Sequence, residues 1–156
     1  MKIRLITMGK TTDDYLKNGI FIYLKRLQHY TDFSILELDE IKGSKKTSMN
    51  EYRKLEAGKL KGVLNAERIV LLDEKGKSYT SFGFAKKLNA QMVNGVRSID
   101  FVIGGPFGFD EEIYELSNEQ ISLSDMTFSH QMVRLFFIEQ LYRAMTIIKG
   151  EKYHHS

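Results

Sequence analysis

Along the chain, apolar positions switch repeatedly between a spacing of two and a spacing near 3.6, the pattern of strands interleaved with helices. Lys2 to Met8 reads as a strand. A helix from about Thr12 to Tyr30 follows, with Leu16, Ile20, Tyr23, Leu24 and Leu27 on one face. Thr11 or Thr12 can cap it, and Asp13 and Asp14 suit its first turn. Phe33 to Leu38 is a second strand, and the polar stretch Asp39 to Met49 reads as a mobile connection. Tyr52, Leu55, Leu60, Val63 and Leu64 make Asn50 to Leu64 helical.

Later strands are continuously apolar, as expected when both faces are covered. Ile69 to Leu72 and Phe101 to Ile103 are two of them, and Ile121 to Leu123 is a shorter third. Between the first two, Ser81 to Met92 is a helix with Phe84, Ala85, Leu88 and Met92 inward and Asn94-Gly95 as its stop. An acidic helix spans about Asp110 to Leu116. Such alternation predicts an α/β fold with a mainly parallel sheet flanked by helices. The last helix, from about His130 to Lys149, is apolar around most of its circumference and ends at Gly150. One sheet face cannot cover it, so a homodimer packed through this helix is expected.

At 156 residues the chain suits one domain, residues 1–156, with a core that needs no staple. It has no cysteine, which excludes disulfide frameworks, thiolate metal sites and cysteine nucleophiles. No apolar run approaches a membrane span, and the N-terminus lacks a signal peptide's pattern, so a cytoplasmic protein is expected. The formal charge is only +3, but residues 1–67 hold 13 basic against 9 acidic side chains. Lys42, Lys45, Lys46, Arg53, Lys54, Lys59 and Lys61 form a patch able to hold phosphates. The plainer reading is a solvated helix face laced with i,i+4 pairs, such as Glu56 with neighbouring lysines.

Ligands of open parallel sheets bind beyond the carboxyl ends of the strands, which directs attention to three segments. They are the turn Asp73-Glu74-Lys75-Gly76-Lys77, the bend Gly104-Gly105-Pro106-Phe107-Gly108, and the run Ser122 to His130. These suggest a nucleotide-like ligand held by backbone groups, although a Gly-Gly pair can be only a tight turn. Neither GxGxxG nor GxxxxGK[ST] is present, nor is GxSxG, and no histidine spacing makes a metal site. His29 reads as a surface side chain. His130 and Arg134 share a face near a strand end, and His154 and His155 nearly close the chain.

Four separated stretches carry a resemblance. Ile103 to Gly108, Leu123 to Arg134, Glu139 to Ala144 and Tyr153-His154 resemble, in order and spacing, the ribosomal RNA large-subunit methyltransferase H family of the SPOUT superfamily. The likeness runs the length of the chain. It implies a C-terminal trefoil knot, spanning about residues 66–156, in a chain that dimerises through it, although knots are rare. It implies S-adenosylmethionine as cofactor, held by main-chain groups at Leu72, at Gly104 and Gly105, and along Leu123, Ser124, Asp125, Met126, Thr127 and Phe128. The implied reaction is methylation of N3 of a pseudouridine in helix 69 of 23S rRNA. His154 is the candidate for assisting proton removal, Tyr153 for shaping the pocket, and Arg134 and Arg143 for phosphate or base contacts. Arg143 belongs with the catalytic group, while His130 and Arg134 are the candidate RNA contacts. Arg143 reads equally well as an i,i+4 partner of Glu139, and Met126 and Phe128 as core packing.

The weak net charge and the acidic helix with Asp110, Glu111, Glu112 and Glu115 suit recognition of a shaped target in assembled ribosomes better than naked rRNA. Two other readings are a SPOUT methyltransferase for another RNA such as tRNA, and a ribosome-binding module without catalysis.

Overall fold

A computed structural model describes residues 1–154; His155 lies outside the described residues. The elements run β1 (Lys2–Met8), α1 (Asp14–Leu27), β2 (Asp32–Leu38), α2 (Met49–Lys61), β3 (Arg68–Ser78), α3 (Ser81–Val93), β4 (Ser98–Ile103), α4 (Glu111–Leu116), β5 (Glu119–Ser122) and α5 (Met132–Ile148). Among the described residues the strands form one sheet in the order β2-β1-β4-β3-β5, and every pairing is parallel. The predicted α/β class is therefore found, with β1, β4 and β3 in the middle of the sheet and both faces covered.

The pleat sorts the strands' side chains between two cores. Ile3 and Leu5 of β1 with Ile99, Phe101 and Ile103 of β4 join Ile20, Leu27, Leu88, Phe137 and Leu141 from α1, α3 and α5. Alternate residues Ile6, Met8, Leu71 and Val102 face the other way, onto Ala57 and Leu60 of α2 and Ile113 of α4. Burial at roughly 25 cal/mol per Å² of apolar surface favours both layers. At the amino ends of the strands, Arg4 forks onto the buried Asp100, Nε to Oδ1 at 2.7 Å and Nη2 to Oδ2 at 2.6 Å. The Asn65 and Ala66 amides donate to the same carboxylate, which pins the connection entering β3.

Three local expectations are corrected. The N-cap of α1 is Asp13 rather than Thr11 or Thr12, and its side chain makes no capping bond. Thr11 is engaged elsewhere, its amide and hydroxyl both bonding Glu37 Oε1 at 2.8 Å. Strand β3 does not end at Leu72: Ile121 pairs first with Leu72 and again with Lys77, so residues 73–76 bulge out while the strand resumes to Ser78. The third change lies in α2, which ends at Lys61 rather than Leu64 and starts on a capping box: the Glu51 amide donates to Ser48 Oγ at 3.2 Å and the Ser48 amide to Glu51 Oε2 at 2.8 Å. Ser48→Ala is expected to cost about 1 kcal/mol in urea unfolding without moving the slope of the transition.

Candidate functional site

The carboxyl ends of β3, β4 and β5 open into a cleft of about 500 Å³, within the range of small-molecule sites. All three segments singled out in the sequence reach it. Leu72 to Lys75 form one wall, Gly104 to Phe109 a second, and Ser122, Leu123, Ser124, Met126, Thr127 and Phe128 a third, with His130 and Val133 at the start of α5. Asp125 is exposed and outside the lining. The walls are tied together. Thr127 Oγ1 donates to Glu74 Oε2 at 3.2 Å, and the Tyr114 hydroxyl of α4 donates to Asp73. Burial and then that carboxylate push the Tyr114 phenol up to about 12. Within the third wall Ser122 Oγ donates to the Ser124 carbonyl at 2.9 Å and the Met126 amide to Ser124 Oγ at 2.9 Å.

The glycine bend is packed from behind. A Cβ on Gly104 would lie 2.9 Å from the Phe109 ring, and one on Gly105 would overlap the Glu56 carboxyl. Both glycines are buried, so the bend turns its backbone edge, free of side chains, toward the cleft. Glu56 is a correction: it pairs with no lysine among the described residues but is 2% exposed beneath the bend, its Oε1 accepting the Gly105 amide at 2.8 Å. Burial raises its pKa, opposed by that hydrogen bond.

Arg134 is a second correction. It is 2% exposed, and its guanidinium donates to the His130 carbonyl at 3.0 Å, Thr11 Oγ1 at 3.0 Å and the Met8 carbonyl at 2.9 Å. Burial lowers its pKa against the raising fields of Glu37 and Glu40. With its donors turned into the protein, Arg134 clamps α5 to β1 and is not placed to meet a phosphate. His130 is exposed at the cleft rim. Of the basic run, Lys42, Lys45, Lys46 and Lys54 are exposed, whereas Lys61 pairs with Glu112 at 2.5 Å and Lys59 caps the Asp39 carbonyl at 2.8 Å. Met49 and Phe107, the latter edge-on to Tyr52, place the start of α2 against the cleft.

Tyr153, His154 and Arg143 do come together, with Glu139, but away from the cleft. Arg143 Nη2 is 2.6 Å from Glu139 Oε1, the predicted i,i+4 pair. The same guanidinium lies 4.7 Å over the Tyr153 ring and bonds His154 Nδ1 at 3.2 Å. An arginine only donates, so Nδ1 accepts and a neutral His154 carries its proton on Nε2. Tyr153's hydroxyl donates to Glu139 Oε1 at 3.0 Å and lies 3.1 Å from the Tyr23 hydroxyl; burial, then these bonds, raise its pKa above the ordinary phenol. Roughly 15 Å of helix rise separates Val133, at the cleft, from Arg143.

Comparison with known proteins places the chain in a family. The family model described as "Predicted SPOUT methyltransferase" matches residues 1–154. The chain belongs to the SPOUT methyltransferase family. Relatives named ribosomal RNA large subunit methyltransferase H include one from Cytophaga hutchinsonii, 49% identical over 99% of this chain and 100% of the relative. Another, from Christiangramia forsetii, is 48% identical over 99% of each. A solved probable methylase family protein from Haemophilus influenzae shares the fold, with a TM-score of 0.55 at 11% identity over 99% of this chain and 70% of that one. In this SPOUT methyltransferase no helix is long and apolar enough to cross a membrane, and no group of metal-ligating side chains occurs among the described residues. Sequence reasoning missed Tyr114 and placed Glu56 on a solvated face. Glu56 was detectable as a charge at i+4 from Tyr52 and i−4 from Leu60, on the face those residues bury.

Proposed function

We propose that this chain is a cytoplasmic homodimeric enzyme that moves a methyl group from S-adenosylmethionine to N3 of a pseudouridine in helix 69 of 23S rRNA. The observation that carries this reading is the convergence of three strand-end bends on one cleft in a chain of this family. The cleft fits the cofactor: its volume is adequate, Leu72, Ile103, Leu123 and Phe128 offer an apolar lining, and the bare glycine edge offers backbone groups to a nucleoside. When bound, S-adenosylmethionine supplies an electrophilic methyl on a sulfonium. Residues 66–156 are the knotted cofactor unit in this reading.

The distance between the cleft and the Tyr153-His154-Arg143 cluster supports a site completed across a dimer, the tail of one protomer reaching the cleft of its partner. Tyr15, Phe21 and Ile22 on α1 and Phe136 on α5 are exposed apolar side chains for such contact. There, Arg143 holds the His154 ring through Nδ1, leaving Nε2–H to donate to a pyrimidine carbonyl oxygen as N3 loses its proton to water and gains the methyl. That donor role replaces direct proton abstraction by His154, because the nitrogen able to accept is already taken. Lys42, Lys45, Lys46 and Lys54 are the phosphate contacts, beside His130 at the rim.

Nucleoside mass spectrometry of 23S rRNA from a deletion strain tests the reading. The strain is expected to lack 3-methylpseudouridine, and the wild-type chain to restore it. His154→Ala and Arg143→Ala should lower the rate on purified ribosomes by roughly 10²-fold or more. A mark unchanged by deletion points to another RNA target.

A further inference from the structure

Glu56 Oε2 is the one buried side-chain oxygen or nitrogen without a hydrogen-bond partner among the described residues. It lies on α2, directly beneath the bend that forms one wall of the cleft, and occupies the space a Cβ of residue 105 would need. No cation lies within ion-pair distance of it among the described residues. A charged carboxylate in that place would be desolvated with a single amide bond to offset it, whereas the acid form fills the same volume, still accepts the Gly105 amide at Oε1 and leaves only a neutral hydroxyl unpaired at Oε2, which costs less than an unpaired charge.

We propose that Glu56 is a positioning residue for the cofactor, holding the Gly104-Gly105 bend in its binding shape only while the carboxyl is protonated. The inference rests on the S-adenosylmethionine reading above. Ionisation draws Oε2 toward water and pulls α2 and the bend apart, because one buried amide cannot solvate two anionic oxygens. The raised pKa of the group agrees with this geometry.

Other titratable groups surround the site. Tyr52 of the same helix feels both Glu56 and Glu40; burial, then those two carboxyls, raise its pKa, so it stays a neutral phenol, and only Glu40 adds negative charge. Arg134 of α5 feels Glu40 but bonds Met8, Thr11 and His130; Lys59 is turned to the Asp39 carbonyl. On the α4 side, Tyr114 bonds Asp73, and Arg53 lies near enough to lower the Tyr114 pKa. None of these is ion-paired to Glu56.

Calorimetry with S-adenosylhomocysteine from pH 5 to 9, a window that opens just above the ordinary carboxylate range, on the full chain and on Glu56→Gln, tests the proposal. Wild-type affinity should fall about tenfold relative to Glu56→Gln across this range, since the amide keeps the acceptor without the ionisation. The ligand's own amino group titrates in both and cancels in the ratio. Glu56→Ala should bind at least about tenfold more weakly at every pH.

As a readout free of ligand, the Gly105 amide resonance should follow a titration with a midpoint above the ordinary carboxylate range, absent from Glu56→Gln. Parallel pH profiles for wild type and Glu56→Gln, or a flat Gly105 resonance, overturn the inference while leaving the cofactor reading standing. Failure of the wild type to bind at any pH overturns the cofactor reading and this inference with it.

Discussion

Arg134→Ala is expected to destabilise the fold by about 3–5 kcal/mol, the scale for removing one partner from a buried charged network. The guanidinium joins β1 through the Met8 carbonyl, the entry to α1 through Thr11, and its own helix through His130. Glu37 Oε1 stands 3.5 Å from Nη1 and also receives both Thr11 donors, so its charge would lose a buried counterpart. A residual cavity adds to the penalty. Arg134→Lys should recover only part of it, since a single ammonium cannot span three separated acceptors. Urea unfolding monitored by circular dichroism checks this. Unchanged stability combined with weakened ribosome binding would return Arg134 to the phosphate-contact role that its place near a strand end suggested.

The contrast shows where sequence reasoning ran out. Strands were legible because a parallel sheet covered on both faces needs uninterrupted apolar runs, and Ile69 to Leu72 and Phe101 to Ile103 are such runs. The three bends were legible for a related reason: glycine and short polar residues gather where a strand stops and the backbone itself is presented. Buried polar residues were not, because a charge in the sequence looks the same whether it is solvated or locked in a network. Yet Arg134 lies three, four and seven residues before Phe137, Ile138 and Leu141, all fully buried. That is an inward face. Glu56 broke the pattern of α2 in the same way. Tyr153, His154 and Arg143 were grouped only through the family resemblance, and their separation from the cleft depends on where the chain end packs, against Tyr23 and Phe82, which no local pattern encodes.

The second large effect concerns a residue that gave no sequence signal beyond being a glycine in a polar turn. Gly76 sits where β3 returns to β5 after its bulge, and a Cβ there would lie 2.6 Å from Gln120 C and Ile121 N and 2.7 Å from Ile121 C. These are backbone atoms of a paired strand, so no side chain can rotate away to make room. Gly76→Ala must therefore separate the second register, Lys77 with Ile121 and Ser78 with Ser122, from the first. The bulge of residues 73–76 is closed by that second register and carries the Asp73 acceptor of Tyr114 and the Glu74 acceptor of Thr127. Opening it should cost about 2–3 kcal/mol, the scale of overpacking in a tight interior. Because two of the three cleft walls meet through these contacts, S-adenosylhomocysteine affinity should fall by about a hundredfold, equivalent to 2.7 kcal/mol. Calorimetry on the folded variant reads the affinity and urea unfolding the stability. Lys86→Ala, an exposed side chain on α3 outside the cleft lining, should change neither by more than about 0.5 kcal/mol. A Gly76→Ala protein that binds as well as the wild type would mean the first wall can reach its place without the second strand pairing.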